Sequence, residues 1–135
     1  MPASLDAMQT LNRLLMISLL GVMLTGCTTT TITNLTASRL PRKDNGQYRI
    51  EVEYYTRQES LVKDSMKAYV MVGDNKYPMQ RTPMLPDRWE TLVPIAKGQN
   101  VLTYRYRFEY QYKAIPSLRS ESKDTKFYQL FLLDK

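Results

Sequence analysis

The stretch Val101-Leu102-Thr103-Tyr104-Arg105-Tyr106-Arg107-Phe108-Glu109-Tyr110-Gln111-Tyr112 decides the fold. Leu102, Tyr104, Tyr106, Phe108, Tyr110 and Tyr112 fall on one side of an extended chain, and Val101, Thr103, Arg105, Arg107, Glu109 and Gln111 on the other. Successive side chains of a strand point to opposite faces, so this segment reads as a long strand with one apolar face.

Working outward, the same period-two pattern recurs between turn signals. Before the long strand, Lys97-Gly98-Gln99-Asn100 reads as a turn, and Trp89, Thr91, Val93 and Ile95 alternate with Glu90, Leu92 and Pro94. Ala68–Val72 and Lys76–Gln80 flank the turn Gly73-Asp74-Asn75, and Pro78 assigns the second of these strands to an edge, because proline cannot donate to a ladder. Tyr48, Ile50, Val52 and Tyr54 alternate with Arg49, Glu51, Glu53 and Tyr55, behind the turn dipeptide Asn45-Gly46. The Thr-rich segment 29–37 opens the series, since β-branched Thr suits extended backbone, and the apolar run 127–133 closes it as a central or doubly covered strand. About seven short strands with this spacing predict an all-β sandwich of antiparallel strands.

The chain has 135 residues, one Cys and no His. One domain is the expectation for that length. The missing His excludes Ser–His and Cys–His nucleophiles and His-ligated zinc, and the single Cys excludes an internal disulfide and a cysteine-cluster metal site. No Gly-rich phosphate loop, metal-ligand spacing or convincing acid/base pair stands out, so no catalytic residue, metal or cofactor is expected and the chain is not read as an enzyme.

Residues 1–27 carry the sharpest signal. Behind Arg13, residues 14–24 are uncharged and apolar, about half the length needed to span a bilayer but suited to a secretory core segment. The run ends in Leu24-Thr25-Gly26-Cys27, which resembles the lipobox of bacterial lipoproteins. That resemblance implies cleavage between Gly26 and Cys27 and fatty acylation of Cys27, palmitate included. It makes 1–26 a helical signal peptide, 27–31 a short lipidated tether and 32–135 the folded domain. Met8 starts a more compact, purely basic leader than Met1, which makes it an alternative start of translation. Thr28 follows the cysteine in place of the Asp that commonly retains Gram-negative lipoproteins in the inner membrane. The resemblance thus places the mature chain in the cell envelope: on the outer membrane facing the periplasm, or, in a Gram-positive host, on the outer face of the plasma membrane. Processing removes Arg13 and Asp6 together and leaves 135 less 26, or 109 residues, with the net charge still +6.

The segment Arg88–Ile95, Gly98 and Tyr104–Phe108 resembles the E and F strands of immunoglobulin-like domains, particularly the early-set type found in glycan-binding modules. The expected domain is therefore a single immunoglobulin-like β-sandwich after the signal peptide. The Cys…Trp…Cys spacing of antibody domains is absent.

Three features are candidates for function. Trp89, Tyr55 and the tyrosine stripe could stack on sugar rings, if they are not core. Arg105, Arg107, Arg119 and Lys123 are cations that could contact a partner, although the basic excess is dispersed and an exported chain is not expected to meet nucleic acid. Finally, a tether of about four threonines spans at most roughly 14 Å, which holds the domain against its membrane. With alternating strand directions, loops 58–65, 82–87 and 114–124 then face that membrane or a protein within it. The reading is a non-catalytic structural or interaction module that docks on an envelope protein partner, with a lipid-anchored glycan-binding module as the alternative.

Overall fold

The computed structural model of the protein describes residues 3–22 and 29–134, so the lipobox residues Leu24, Thr25, Gly26 and Cys27 lie outside the described residues. Helix α1 spans Ala3–Val22. Its Leu5, Met8, Leu11, Leu14, Leu15, Met16 and Ile17 are all exposed. No helix among the described residues is long and apolar enough to cross a membrane.

The rest is β-structure in two sheets: β1 (Thr30–Asn34), β2 (Arg39–Pro41), β3 (Gln47–Thr56), β4 (Lys67–Val72), β5 (Asn75–Pro78), β6 (Gln80–Arg81), β7 (Arg88–Pro94), β8 (Val101–Lys113), β9 (Leu118–Asp124) and β10 (Tyr128–Leu133). One sheet has the order β1-β3-β7-β6 and the other β2-β10-β8-β4-β5, with β9 also paired to β8. These are ten strands rather than about seven. The additional ones are β2, β6 and β9, which are short or polar and so carry no hydrophobic alternation. The β2–β10 pair is parallel, a departure from the all-antiparallel expectation.

The alternation in β8 works as its sequence demands. Leu102, Tyr104, Tyr106, Phe108 and Tyr110 are buried, and they meet Tyr48, Ile50, Val52 and Tyr54 from β3 and Trp89 and Val93 from β7. Each such side chain contributes about 1.5–3 kcal/mol on leaving water. Rings interlock at the centre: Tyr54 and Phe108 lie 4.7 Å apart, and Tyr104 meets Tyr106 edge-on at 5.7 Å. The phenols are satisfied in place. Asn34 Nδ2 donates to Tyr104 Oη (3.1 Å), and Tyr106 Oη donates to Asn34 Oδ1 (2.6 Å). Burial pushes the Tyr106 phenol well above its usual range, which keeps it a neutral donor.

Pro78 ends β5, which pairs only with β4, so the proline sits on an edge as expected. The segment 114–124, expected as a long loop, is instead mostly β9. Its register runs from Arg107↔Asp124 to Lys113↔Leu118. All seven β9 residues are exposed, and backbone pairing to the overlong β8 is what orders them. Between β9 and β10 the chain bulges. Residues 125–127 stand opposite 105 and 106, Thr125 N donates to Tyr106 O, and Tyr106 N donates to Thr125 Oγ1. One extra residue reverses which face the odd positions occupy. Phe127, Phe131 and Leu133 consequently point to solvent while Leu130 and Leu132 are buried. The last strand is covered on one face, not on both as expected.

Candidate functional site

Antiparallel register sorts the loops into two clusters. At the Thr30 end lie 57–65, 82–87 and 114–117. At the opposite end, named here for Gly46, lie 42–46, 73–74 and 95–100.

The Thr30 end is stitched together by hydrogen bonds. Arg57 N donates to Thr29 O (3.1 Å), Val62 N to Gln111 O (2.9 Å) and Lys113 N to Ser60 O (2.7 Å). Arg81 joins the remaining loop: Nη1 donates to Pro86 O and Nη2 to Lys63 O, both at 2.8 Å. Its guanidinium also stacks over the Trp89 ring at 4.6 Å. Nothing local in the sequence singles out Arg81, because its place over Trp89 comes from the β6–β7 register.

The Gly46 end holds a concavity of about 840 Å³. Tyr48, Val72, Tyr77, Ile95 and Leu102 give it an apolar floor. Arg42, Lys43, Asp44, Asn45, Gln47, Lys97 and Gln99 give it a polar rim in which three cations stand against Asp44 and the Asp134 that pairs with Arg42. Gly46 has φ +64°, and a Cβ there would meet Ile95 O at 3.4 Å, so the turn suits glycine. Ile95 N donates to Gly46 O at 2.9 Å and closes the floor. Arg42 braces one wall. Its Nε pairs with Asp134 Oδ1 (2.8 Å), Nη1 donates to Gln99 O (3.2 Å) and Nη2 to Asn100 Oδ1. The cleft escaped sequence reading because its rim comes from turns far apart in the chain. Asn45-Gly46 and Lys97-Gly98 gave a signal, and that signal was for turns.

The candidate residues from the sequence do not converge. Trp89 is 5% exposed, inside the core under Arg81. The tyrosine stripe is inside as well, except that Tyr112 is half-buried. Tyr55 is 44% exposed on the outer face of the smaller sheet, opposite Thr31. Arg105 and Arg107 lie on the outer face of the larger sheet and share Asp124: Arg107 binds it through two nitrogens at 2.7 and 2.9 Å, and Arg105 stands at 3.6 Å. Hydrogen bonding from Arg107 holds the Asp124 carboxyl below its usual range. Arg105 also stacks on Phe127 at 5.2 Å. Arg119 and Lys123 stand on β9 opposite Tyr112 and Phe108, on the other side of that strand. Among the described residues no group of three or more metal-ligating side chains occurs. Searches against family models, curated proteins and solved structures found no match to this chain.

Proposed function

We propose that the chain is a membrane-anchored envelope lipoprotein, acylated on Cys27 after loss of residues 1–26, whose immunoglobulin-like sandwich is a non-catalytic docking module for another envelope protein. The anchor rests on the Leu24–Cys27 motif, and Thr28 favours the outer membrane, facing the periplasm. The immunoglobulin-like assignment is supported by strand order. Lettered in that manner, β1, β3, β7 and β6 follow A-B-E-D, and β10, β8, β4 and β5 follow G-F-C-C′.

One observation carries the docking role. The chain enters the sandwich at Thr30, and the 840 Å³ cleft opens at the opposite end. A lipid at Cys27 then presents that cleft away from the bilayer. An apolar floor within a polar rim whose cations outnumber its acids suits a protein segment with apolar side chains flanked by polar and acidic ones. A glycan platform needs exposed rings, and burial of Trp89 and the stripe leaves the docking role better supported.

The test is site-specific photocrosslinking in intact cells from Lys97, on the cleft rim, and from Thr103, on the outer sheet face. The expected result is a discrete protein adduct from position 97 that weakens with Arg42→Ala. Adducts of equal yield from both positions, or lipid adducts alone, contradict it.

A further inference from the structure

We infer that the loops at the Thr30 end are a bilayer-contacting surface, in which Met84 and Ile115 insert into the lipid interface. The inference rests on the anchored reading above and specifies what the domain does at its membrane.

Met84 is 99% exposed and Ile115 96% exposed, the two highest values among the described large apolar side chains. Each crowns a loop at the same end, with the exposed Leu85 next to Met84 and the exposed Leu118 three residues beyond Ile115. Met84 is unusual in its backbone as well. Leu85 N donates to Thr82 O, Pro83 occupies the second position of that turn, and Met84 has φ +63° at the third. A turn of this kind ordinarily places glycine there, since a side chain at positive φ is strained. The fold therefore bears strain to hold a side chain that covers almost nothing within it. An apolar group so placed gains free energy by leaving water for lipid.

Position points the same way. The ladder begins at Thr30, three residues beyond Cys27, and two intervening residues span at most roughly 10 Å to the first paired one. An acyl chain on Cys27 brings this end against the headgroups. The surface is pre-assembled, because Thr29, Ser60, Lys63 and Pro86 are tied to one another's strands by the bonds described above. Arg57, Lys63 and Lys113 are exposed here and long enough to reach phosphates. Glu59, Asp64 and Asp87 lie among them, so insertion of the apolar tips dominates over attraction to anionic lipid. At the Gly46 end, loops 42–46, 73–74 and 96–100 expose no large apolar side chain.

The test uses the acylated full chain, purified from membranes and reconstituted in vesicles of phosphatidylethanolamine and phosphatidylglycerol. An environment-sensitive fluorophore is attached through M84C, I115C or, for reference, K97C. These sites are exposed, so the fold tolerates the changes. At 84 and 115 emission shifts to the blue, and quenching by an aqueous quencher falls several-fold relative to 97. The protection persists in phosphatidylcholine vesicles. Its loss there overturns insertion in favour of electrostatic adsorption. Chains that float with vesicles while 84 and 115 stay as quenchable as 97 overturn insertion and leave the anchor standing. Chains that do not float overturn both. Protection seen in native membranes and absent from pure lipid overturns it too, and assigns the surface to a membrane protein.

Discussion

At the Thr30 end, the loops push apolar side chains into solvent: Met84 and Ile115 stand almost wholly free, and Leu85 and Leu118 are exposed beside them. At the Gly46 end, the apolar side chains form the floor of a cleft, and the loop tips carry Arg42, Lys43, Asn45, Lys97 and Gln99. One sandwich thus has an end that displays apolar groups and an end that recesses them. The first is suited to a medium that has no shape of its own, a lipid interface. The second is suited to a partner with a defined shape.

The contrast can be broken from the inside first. Trp89 fills the core beneath the Thr30-end loops, and Arg81 holds those loops across its ring. Trp89→Ala should cost about 3–5 kcal/mol, measured by denaturant unfolding. Hydrogen exchange should show the loss of protection concentrated in 57–65 and 82–88, with the Gly46-end turns changing less. Uniform loss over both ends would mean the ends are not separate structural units.

Alkali should test the core that the two ends share. Burial, first among the causes, raises the phenols of Tyr54, Tyr106, Tyr110 and Tyr128. Their folded values lie above the unfolded value of about 10. The unfolded chain therefore ionises first, so stability is complete below about pH 10 and falls as pH rises toward the folded values. Tyr54 and Tyr110 lie in the half nearer Thr30, Tyr106 near the middle of β8 and Tyr128 opposite Tyr104 in the other half, so both ends should lose protection over the same rise in pH. Hydrogen exchange in a pH series reads this out.

Arg42→Ala probes the other end. It removes a cation with three partners, and since Asp134 is largely exposed the expected cost is about 1–2 kcal/mol. Loop 97–100 should loosen while the Thr30 end keeps its exchange protection. The smallest effect belongs to Met84→Gly. Relief at φ +63° offsets the extra freedom of unfolded glycine, so stability should stay within about 0.5 kcal/mol while membrane insertion weakens. A large destabilisation would show that Met84 serves the fold.

Much of the framework was legible because it depends on one strand at a time. The β8 alternation, the Asn45-Gly46 and Lys97-Gly98 turns and the edge position of Pro78 each follow from local residue chemistry. What was missed depends on two strands together. Ser120, Glu121, Ser122 and Lys123 read as loop, yet they pair because β8 outruns its other partners. The bulge at 125–127 reverses the faces of β10, and no residue type announces it. The cleft and the Arg81 clamp arise from register and turn placement, so neither leaves a local pattern. The proposed lipobox is the converse case, a reading that rests on four adjacent residues and does not depend on the fold.

The central claim is that the sandwich stands on its Thr30 end with the cleft held away from the bilayer. Energy transfer from single donors at positions 115 and 97 to acceptors on vesicle headgroups, measured on the acylated chain, tests it most directly. Strand β8 runs Val101–Lys113, so an upright domain separates the two ends by roughly 40 Å. Strong transfer from 115 and weak transfer from 97 are expected. Equal transfer from the two positions would mean that the domain lies on its side, and would contradict that claim.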